Sequence, residues 1–328
     1  MTALLFVGAL VVIAAASELF TNAVEWAGYQ LHLGTGATGS LLAALGTALP
    51  ETLVVIVALV GGTSHSDQIA IGAVLGSSFL LLTLGGGVTG VALLARRGAR
   101  VAAVEPSQVR RDLGVFLTAF GCAVASTLLS RPERVVIGVL LLLLYAGYAR
   151  ATLEGVKRDR ESPEPLHFIR WRPGPPPRAL VGAQLLTGVV LLAVGSSLFV
   201  DAINAAATSL GLNALMLAVI AVPFATELPE TLNSVLWIRS GDDGLALGNI
   251  AGAAAFQACI LGFVGITFTS WRLGTAGLVA AGCAFLTGLY LLGLLRDGRA
   301  HGGWLLLAAL PWLGYVAAEL ATAGRLSL

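Results

Sequence analysis

The chain has 328 residues, of which 57% are hydrophobic and 11% are charged, and its mean hydropathy is +0.88. A soluble domain carries about 25% charged residues, so this composition excludes a soluble enzyme. The formal net charge of +1 gives no strong field for binding nucleic acid or an acidic partner, and the lipid bilayer is the partner that we predict.

Ten apolar segments follow one another along the chain, each about long enough to cross a hydrocarbon core of about 30 Å. They predict an all-α, multi-pass protein of the cell membrane. The first segment carries Glu18 and has no basic region before it, which indicates a helix rather than a cleaved signal peptide. We number the segments span 1 to span 10, and they cover roughly residues 3–28, 36–60, 68–95, 113–129, 135–149, 179–206, 212–238, 244–268, 273–295 and 303–322.

The basic residues predict the orientation, because Arg and Lys in short loops stay cytoplasmic. Of the 19 basic residues, all but four lie in loops that follow odd-numbered spans; the four are Arg131, Arg134, Arg272 and Arg325. Both termini are therefore predicted outside the cell. The longest loop, 150–178, is charged and then rich in proline, which is typical of a semi-rigid linker between two halves, 1–149 and 179–328.

The two halves contain an internal repeat. Residues 18–53 align with 197–232 at an offset of 179, and both copies end in the pattern T-x-L-P-E-T-L. A second block pairs residues 71–76 with 247–252 at an offset of 176, so the repeats extend over about 18–84 and 197–264. Spans 2 and 7 are an odd number of spans apart, so the copies cross the membrane in opposite directions. This arrangement is the inverted-repeat plan of secondary transporters.

Seven acidic residues fall inside the predicted spans, and no Lys or Arg accompanies them: Glu18, Glu25, Glu51, Asp201, Glu227, Glu230 and Glu319. An ionised carboxylate at the bilayer centre costs on the order of 3 kcal/mol, so a central group of them needs cations or protons. Glu51, Glu227 and Glu230 are central, and a bound cation is the obvious compensation. Glu25 and Glu319 are expected near the interfaces, whereas Glu18 and Asp201 are candidates for the ion path.

The residues around the central carboxylates supply further oxygen atoms. Pro50 and Pro229 lack an N–H, which frees the carbonyls of Gly46 and Ala225 four residues earlier. Together with the hydroxyls of Thr47 and Thr226 and the carboxylates, these carbonyls form a set suited to a hard cation such as Ca²⁺ or Na⁺. The alternative is that each proline only kinks its helix. Spans 3 and 8 bring glycines with Ser77, Asn249 and Gln257 to this depth, either as neutral ligands or for helix packing.

The two motifs, G-T-A-L-P-E at 46–51 and A-T-E-L-P-E at 225–230, resemble the alpha-repeat signatures of the Ca²⁺/cation antiporter superfamily, in particular those of sodium/calcium exchangers. Residues 72–78 and 248–254 are similar to its G-N-x-x-G-S-N segments. The resemblance implies that Ca²⁺ is exchanged for Na⁺ or H⁺ at a site centred on Glu51 and Glu230, with Thr47 and Thr226 as further ligands. It also implies that spans 1 and 6 move past spans 2, 3, 7 and 8.

The chain departs from the family pattern at five positions. Ala48 and Glu227 replace the hydroxyl residue before Leu-Pro, while Leu81 and Gln257 stand where an Asn or an acid is usual. Ala253 also replaces a serine of the pattern. One acid is thus lost on span 8 and one is gained on span 7. We therefore predict that Glu51 and Glu230 bind the divalent ion and that Glu227 neutralises further charge or takes a proton.

We conclude from the sequence that the protein is a secondary active antiporter that exchanges Ca²⁺ for Na⁺, not an enzyme, and that it needs no cofactor. The chain has no P-loop signature, so an ion gradient is the expected driving force. The alternatives are a Ca²⁺/H⁺ or K⁺-coupled exchanger, and a channel or non-transporting sensor with the same fold. The predicted cation ligands are Glu51, Glu230, Thr47, Thr226, Glu227, Ser77, Gln257, Gly46 and Ala225.

Overall fold

A computed structural model of the protein describes residues 2–31, 43–98, 100–154, 163–170 and 174–326. Within these residues, eight helices are long and apolar enough to cross a membrane, and a bent pair of shorter helices forms one more span. The shorter apolar helix Pro50–Gly61 lies in span 2. The protein is therefore an all-α membrane protein with about ten membrane helices, as the sequence predicts.

The helices of the first half have the following bounds. Span 1 is Thr2–Gln30, and span 2 is Ala43–Gly61 with Pro50 inside it. Span 3 consists of the α-helix Ser66–Leu80, a π-helical turn Leu81–Gly85 and the α-helix Gly86–Ala95. Span 4 is Pro106–Ala125, which ends in the 3₁₀ turn Ser126–Leu128, and span 5 is Arg131–Glu154.

The second half follows a 3₁₀ turn in the linker, His167–Ile169. Span 6 is Arg178–Leu210, and span 7 consists of Ala214–Thr226 and Leu228–Ser240, with a bend of 48°. Span 8 consists of Asp243–Phe256, a π-helical turn Gln257–Leu261 and Gly262–Phe268. Span 9 is Gly274–Leu295, and span 10 consists of Gly302–Leu306, the 3₁₀ turn Leu307–Ala309 and Leu310–Leu326.

Spans 4 and 5 are longer than the apolar segments that predicted them. Span 4 begins at Pro106 rather than near residue 113, and span 5 extends from Arg131 to Glu154 rather than from 135 to 149. Proline suits the first turn of a helix because the N–H that it lacks has no partner there. Hydropathy locates the membrane core, whereas the helix itself continues into the polar interface. The predicted start of span 2 near residue 36 lies outside the described residues.

The two π-helical turns occupy equivalent positions in the two halves. Leu81 and Gln257 begin these turns and are 176 residues apart, which is the offset of the second aligned block. Such turns are rare and are frequently found at functional sites. The internal repeat is therefore present in the backbone geometry as well as in the sequence.

Contacts between the segments that connect the spans show which of them lie on the same side of the molecule. The strand β1, Val101–Ala103, pairs antiparallel with β2, Arg299–His301, and joins the loops after spans 3 and 9. On the opposite side, the carboxylate of Asp67, in the first turn of span 3, accepts a hydrogen bond at 2.7 Å from the backbone N–H of Ser270 in the loop after span 8. Loops after odd spans meet one another, as do loops after even spans, which is the arrangement that ten spans require.

Spans 1 and 6 form a closely packed antiparallel pair. A methyl group added at Gly188 would lie 2.9 Å from the Phe20 Cβ, and one added at Gly195 would lie 2.9 Å from the Ile13 Cγ1. Span 3 is instead almost entirely buried, and its Gly72 and Gly76 lie against the first half of span 7. Small residues thus allow the backbones of the two halves to approach at two places.

Candidate cation site

Three acidic side chains are buried in the interior of the protein. Glu51 of span 2 and Glu227 and Glu230 of span 7 are each no more than 2% exposed. Glu51 is close enough to both other carboxylates for their charges to interact. The interior therefore holds acidic side chains that come from both inverted halves.

Gln257 lies between the carboxylates of the two halves. Its Nε2 donates a hydrogen bond to the Glu227 Oε2 at 2.9 Å and lies 3.4 Å from the Glu51 Oε1. Its Oε1 accepts a hydrogen bond from the Ser78 hydroxyl at 3.2 Å. The amide is 1% exposed, and it links spans 2, 3, 7 and 8 at one point.

The position of Gln257 follows from the π-helical turn that it begins. The corresponding residue in span 3 is Leu81, so only the second half supplies an amide at this point. Ser78, three residues before Leu81, provides the hydroxyl that contacts this amide. Ser77, the serine that the sequence predicted as a ligand, is also buried and faces the Glu227 carboxylate, whereas Ser78 was not predicted.

A helix break in span 7 presents two of the acids. The first helix ends at Thr226, the second begins at Leu228, and Glu227 lies at the junction. Pro229 stands in the first turn of the second helix, where its missing N–H costs no hydrogen bond. The Thr226 hydroxyl lies 3.3 Å from the Glu227 Oε1. Pro50, by contrast, lies within the continuous helix of span 2.

The remaining predicted ligands are placed as follows. Ala225 is buried in the last turn before the break. Gly46 and Thr47 belong to the helix of span 2, but the side chains of residues 43–49 lie outside the described part, so the role of Thr47 stays a prediction. The Asn249 Nδ2 lies 3.4 Å from the Glu230 backbone oxygen and therefore contacts the main chain of the acidic segment.

Two acidic residues that were candidates for the ion path lie at the surface. The Glu18 side chain is 70% exposed, and its Oε1 lies 3.4 Å from the His167 Nε2 in the linker. Asp201 is also exposed. The structure therefore does not bring either carboxylate into the buried group around Glu51.

The buried carboxylates need a positive partner. The Glu51 Oε2 is buried and accepts no hydrogen bond from any described atom. A buried ionised oxygen without a partner is costly, so this atom favours a proton or a cation. No three His, Cys, Asp or Glu side chains of the described residues converge as a ready-made metal cluster, and the Gln257 amide lies between Glu51 and Glu227.

The comparison with known sequences identifies the family. The pattern of the family described as sodium/calcium exchanger protein matches residues 1–153 and 181–320. The chain belongs to this family. It is 27% identical over 268 residues to the inner membrane protein YrbG of Escherichia coli strain K12, which covers 79% of this chain and 77% of YrbG. It is 28% identical over 298 residues to the putative antiporter CaxA of Alkalimonas amylolytica, which covers 87% of this chain and 88% of CaxA.

Solved structures share the fold. The H⁺/Ca²⁺ exchanger CAX has a TM-score of 0.77 at 16% identity, covering 97% of this chain and 82% of CAX. The sodium–calcium exchanger NCX_Mj has a TM-score of 0.62 at 21% identity, covering 96% of this chain and 97% of NCX_Mj. The family resemblance predicted from the two motifs is confirmed. The protein is a multi-pass membrane transporter of the Ca²⁺/cation exchanger family, and it is not an enzyme.

Proposed function

We propose that this exchanger carries Ca²⁺ against Na⁺ across the cell membrane by alternating access. The cargo binds among Glu51, Glu227 and Glu230, with Thr47, Thr226, Ser77, Gln257 and the carbonyls of Gly46 and Ala225 as further ligands. The observation that carries this proposal is the buried meeting of carboxylates from both halves around the Gln257 amide.

The ligand set suits both ions of the exchange. Carboxylate, hydroxyl, amide and carbonyl oxygens bind hard cations, and Ca²⁺ takes six to eight of them. One Ca²⁺ balances two of the three carboxylates, while each Na⁺ balances one. The same acids can therefore be neutralised by either ion in turn, which is what an exchange cycle at one shared site requires.

For Gln257 to coordinate a cation, its side-chain amide must rotate by about 180°. The nitrogen that faces Glu51 and Glu227 carries hydrogen and cannot coordinate a metal ion. With the amide reversed, its oxygen faces the carboxylates and its nitrogen donates to the Ser78 hydroxyl, which then acts as acceptor. The hydroxyl can serve in either role, so Ser78 supports both orientations of the amide.

We propose that both termini lie outside the cell, with the loops after odd spans in the cytoplasm. Fifteen of the nineteen basic residues occur in those loops, and short basic loops stay cytoplasmic. The paired strands β1 and β2 lie on this same side.

The test is radiolabelled Ca²⁺ uptake into proteoliposomes under a Na⁺ gradient, a pH gradient, a K⁺ gradient or none. We expect the Na⁺ gradient to drive uptake and Glu51→Gln to abolish it, because the amide keeps the shape of Glu51 but removes its charge. The matched control is Glu105→Gln, an exposed acid before span 4, which should transport like the wild type.

The other outcomes would each replace the proposal. Uptake driven only by the pH or K⁺ gradient would identify an H⁺- or K⁺-coupled exchanger. Flux that needs no counter-ion would identify a channel, and Ca²⁺ binding without flux would identify a sensor. Undiminished uptake by Glu51→Gln would remove Glu51 from the ion site.

A further inference from the structure

Residues 163–170 of the linker lie against spans 1 and 6. The Glu164 carbonyl accepts hydrogen bonds from the Trp26 Nε1 at 2.7 Å and from the Asn22 Nδ2 at 3.3 Å. The backbone N–H of His167 donates to the Asn22 Oδ1 at 3.2 Å. The backbone of this segment is thus held by three hydrogen bonds to side chains of span 1, at the Glu164 carbonyl and the His167 N–H.

Gln184 of span 6 completes this polar contact. Its Oε1 accepts a hydrogen bond from the Phe168 backbone N–H at 3.0 Å. Its Nε2 lies 3.0 Å from the Asn22 Oδ1 and 2.9 Å from the Leu19 carbonyl, both in span 1. Gln184 is fully buried, so one amide connects span 6, span 1 and the linker at the same point.

An apolar contact accompanies the hydrogen bonds. The Leu166 side chain is 2% exposed and forms a cluster with Trp26 of span 1 and Val181 of span 6. This cluster is separate from the main hydrophobic core of the protein. Leu166 therefore contacts both spans from a segment that otherwise connects the two halves.

Spans 1 and 6 are unusually long helices. Span 6 has 33 residues and span 1 has 29, which correspond to about 50 Å and about 44 Å of helix. The hydrocarbon core is about 30 Å thick, so both helices are longer than the core that they cross. Asn22 and Gln184, whose amides would be costly in lipid, lie in the halves of these helices that adjoin the linker, and both are buried there.

We propose that residues 163–170 form a strap that fastens the linker-side ends of spans 1 and 6 into one unit, with Asn22, Gln184 and Leu166 as its positioning residues. All the hydrogen bonds that the structure shows between this segment and other described parts of the chain go to span 1 or span 6. The strap thus joins the pair without joining it to spans 2, 3, 7 and 8, which carry the carboxylates and Gln257.

The consequence for transport rests on the proposed function. If spans 1 and 6 move together past the ion site, a strap that holds them together affects the rate of the movement and not the ligands of the ion. Weakening it should therefore lower the maximal exchange rate and leave the half-saturating Ca²⁺ concentration unchanged. Conformational steps of this kind set the turnover of many catalysts and carriers.

The first experiment compares variants in proteoliposomes. Leu166→Ala and Gln184→Ala should each lower the maximal exchange rate about fivefold, with half-saturation within about twofold of the wild type. Leu166→Met, which conserves the volume of the side chain, should exchange at about the wild-type rate. The exposed neighbours Phe168→Ala and Leu186→Ala are the matched controls and should exchange like the wild type.

A second measurement does not depend on transport. Hydrogen exchange followed by mass spectrometry should show protection of 163–170 in the wild type, because the N–H groups of His167 and Phe168 are bonded to Asn22 and Gln184. Gln184→Ala should remove this protection and also raise exchange in residues 19–26 of span 1. Equilibrium Ca²⁺ binding, measured in parallel, should stay unchanged.

The outcomes separate the strap from the proposed function. Rapid hydrogen exchange of 163–170 in the wild type, or variants that transport at the wild-type rate, would refute the strap. An equal change in half-saturation and rate would refute it too, because the effect would then act on the ion site. If the wild type exchanges no Ca²⁺ while protection is present and lost in Gln184→Ala, the strap stands and the proposed function fails.

Discussion

Among single residues, Gln257 is the one whose replacement best tests the site. Gln257→Glu would place a fourth carboxyl group beside Glu51 and Glu227, where the amide now donates hydrogen bonds. The added charge attracts a divalent ion more strongly. We expect Ca²⁺ to bind about tenfold more tightly at pH 8, which corresponds to about 1.4 kcal/mol, as measured by equilibrium binding of radiolabelled Ca²⁺.

The gain should disappear in acid, because protons compete with Ca²⁺ for a crowded group of carboxylates. Binding by Gln257→Glu should therefore weaken more steeply from pH 8 to pH 6 than binding by the wild type. Ser78→Ala is the control, since it removes a hydrogen bond to the same amide without changing the charge. If Gln257→Glu bound Ca²⁺ no more tightly than the wild type, residue 257 would not face the ion.

The sequence was informative about the acids of this site and less so about its hydroxyls. Glu51, Glu227 and Glu230 stand out because a charge within an apolar segment needs compensation. Neighbouring serines, in contrast, point about 100° apart around a helix. Choosing between Ser77 and Ser78 requires the rotation of span 3, and an apolar segment that is buried on nearly every side does not reveal that rotation.

Among the helices, equivalent glycines of the two halves have different surroundings. A methyl group at Gly76 would lie 2.5 Å from the Val219 carbonyl oxygen and 2.7 Å from the Pro223 Cγ. A methyl group at Gly252, 176 residues later, would meet only the Tyr148 hydroxyl, at 3.5 Å. Gly76→Ala should therefore destabilise the protein by about 1 to 3 kcal/mol, because backbone must move to make room.

The measurement is the midpoint of heat unfolding in detergent, followed by the monodisperse fraction on gel filtration. Gly252→Ala is the matched control and should change stability by no more than about 0.5 kcal/mol. Equal losses in both variants would mean that span 8 is packed as closely as span 3, contrary to the structure.

The π-helical turns were not predictable from the sequence. Hydrophobic periodicity reveals a helix only when one face differs from the other, and the segments around Leu81 and Gln257 are buried nearly all round. An altered turn therefore leaves no mark in the apolar pattern. The two turns are seen only in the structure, where they occur at equivalent positions of the two halves.

For the molecule as a whole, Arg96 ties the two halves together. Its Nη1 lies 2.5 Å from the Asp243 Oδ1 and 3.1 Å from the Ile238 carbonyl, so the end of span 3 is bonded to spans 7 and 8. Both charged side chains are largely buried, with exposed fractions of 14% and 7%. Arg96→Ala would leave Asp243 buried without this cation, and we expect a loss of about 3 kcal/mol in stability.

Heat unfolding in detergent checks this expectation against an exposed pair. Arg296 and Asp297 also form an ion pair, but their side chains are 72% and 81% exposed. Arg296→Ala should therefore change stability by less than about 1 kcal/mol. If Arg96→Ala proved equally harmless, the contact would not hold the halves together.

The orientation of the whole molecule can be tested with two introduced cysteines. Ser64 lies in the loop after span 2 and Ser107 at the start of span 4, and both are exposed. In a variant that lacks Cys122, Cys259 and Cys283, a membrane-impermeant maleimide should label Ser64→Cys in intact cells. It should label Ser107→Cys only after the cells are opened. The reverse pattern would place both termini in the cytoplasm.

At this scale the sequence predicted the number of spans but not the contacts between distant segments. Apolar length was sufficient to predict an all-α membrane protein with about ten spans. The contact of the linker with spans 1 and 6 depends on Asn22, Leu166 and Gln184, which are separated by up to 162 residues. No local pattern in the chain shows that such residues will meet.

The contact between Gln257 and Glu51 joins two residues that are synthesised at different times. The two residues are 206 positions apart, and a ribosome adds about 5 to 20 residues per second. Roughly 10 to 40 s therefore pass between the synthesis of Glu51 and that of Gln257. Until the end of this interval Gln257 of span 8 does not exist, so the Glu51 carboxyl lacks this partner and must be held neutral, hydrated or sheltered by the insertion machinery.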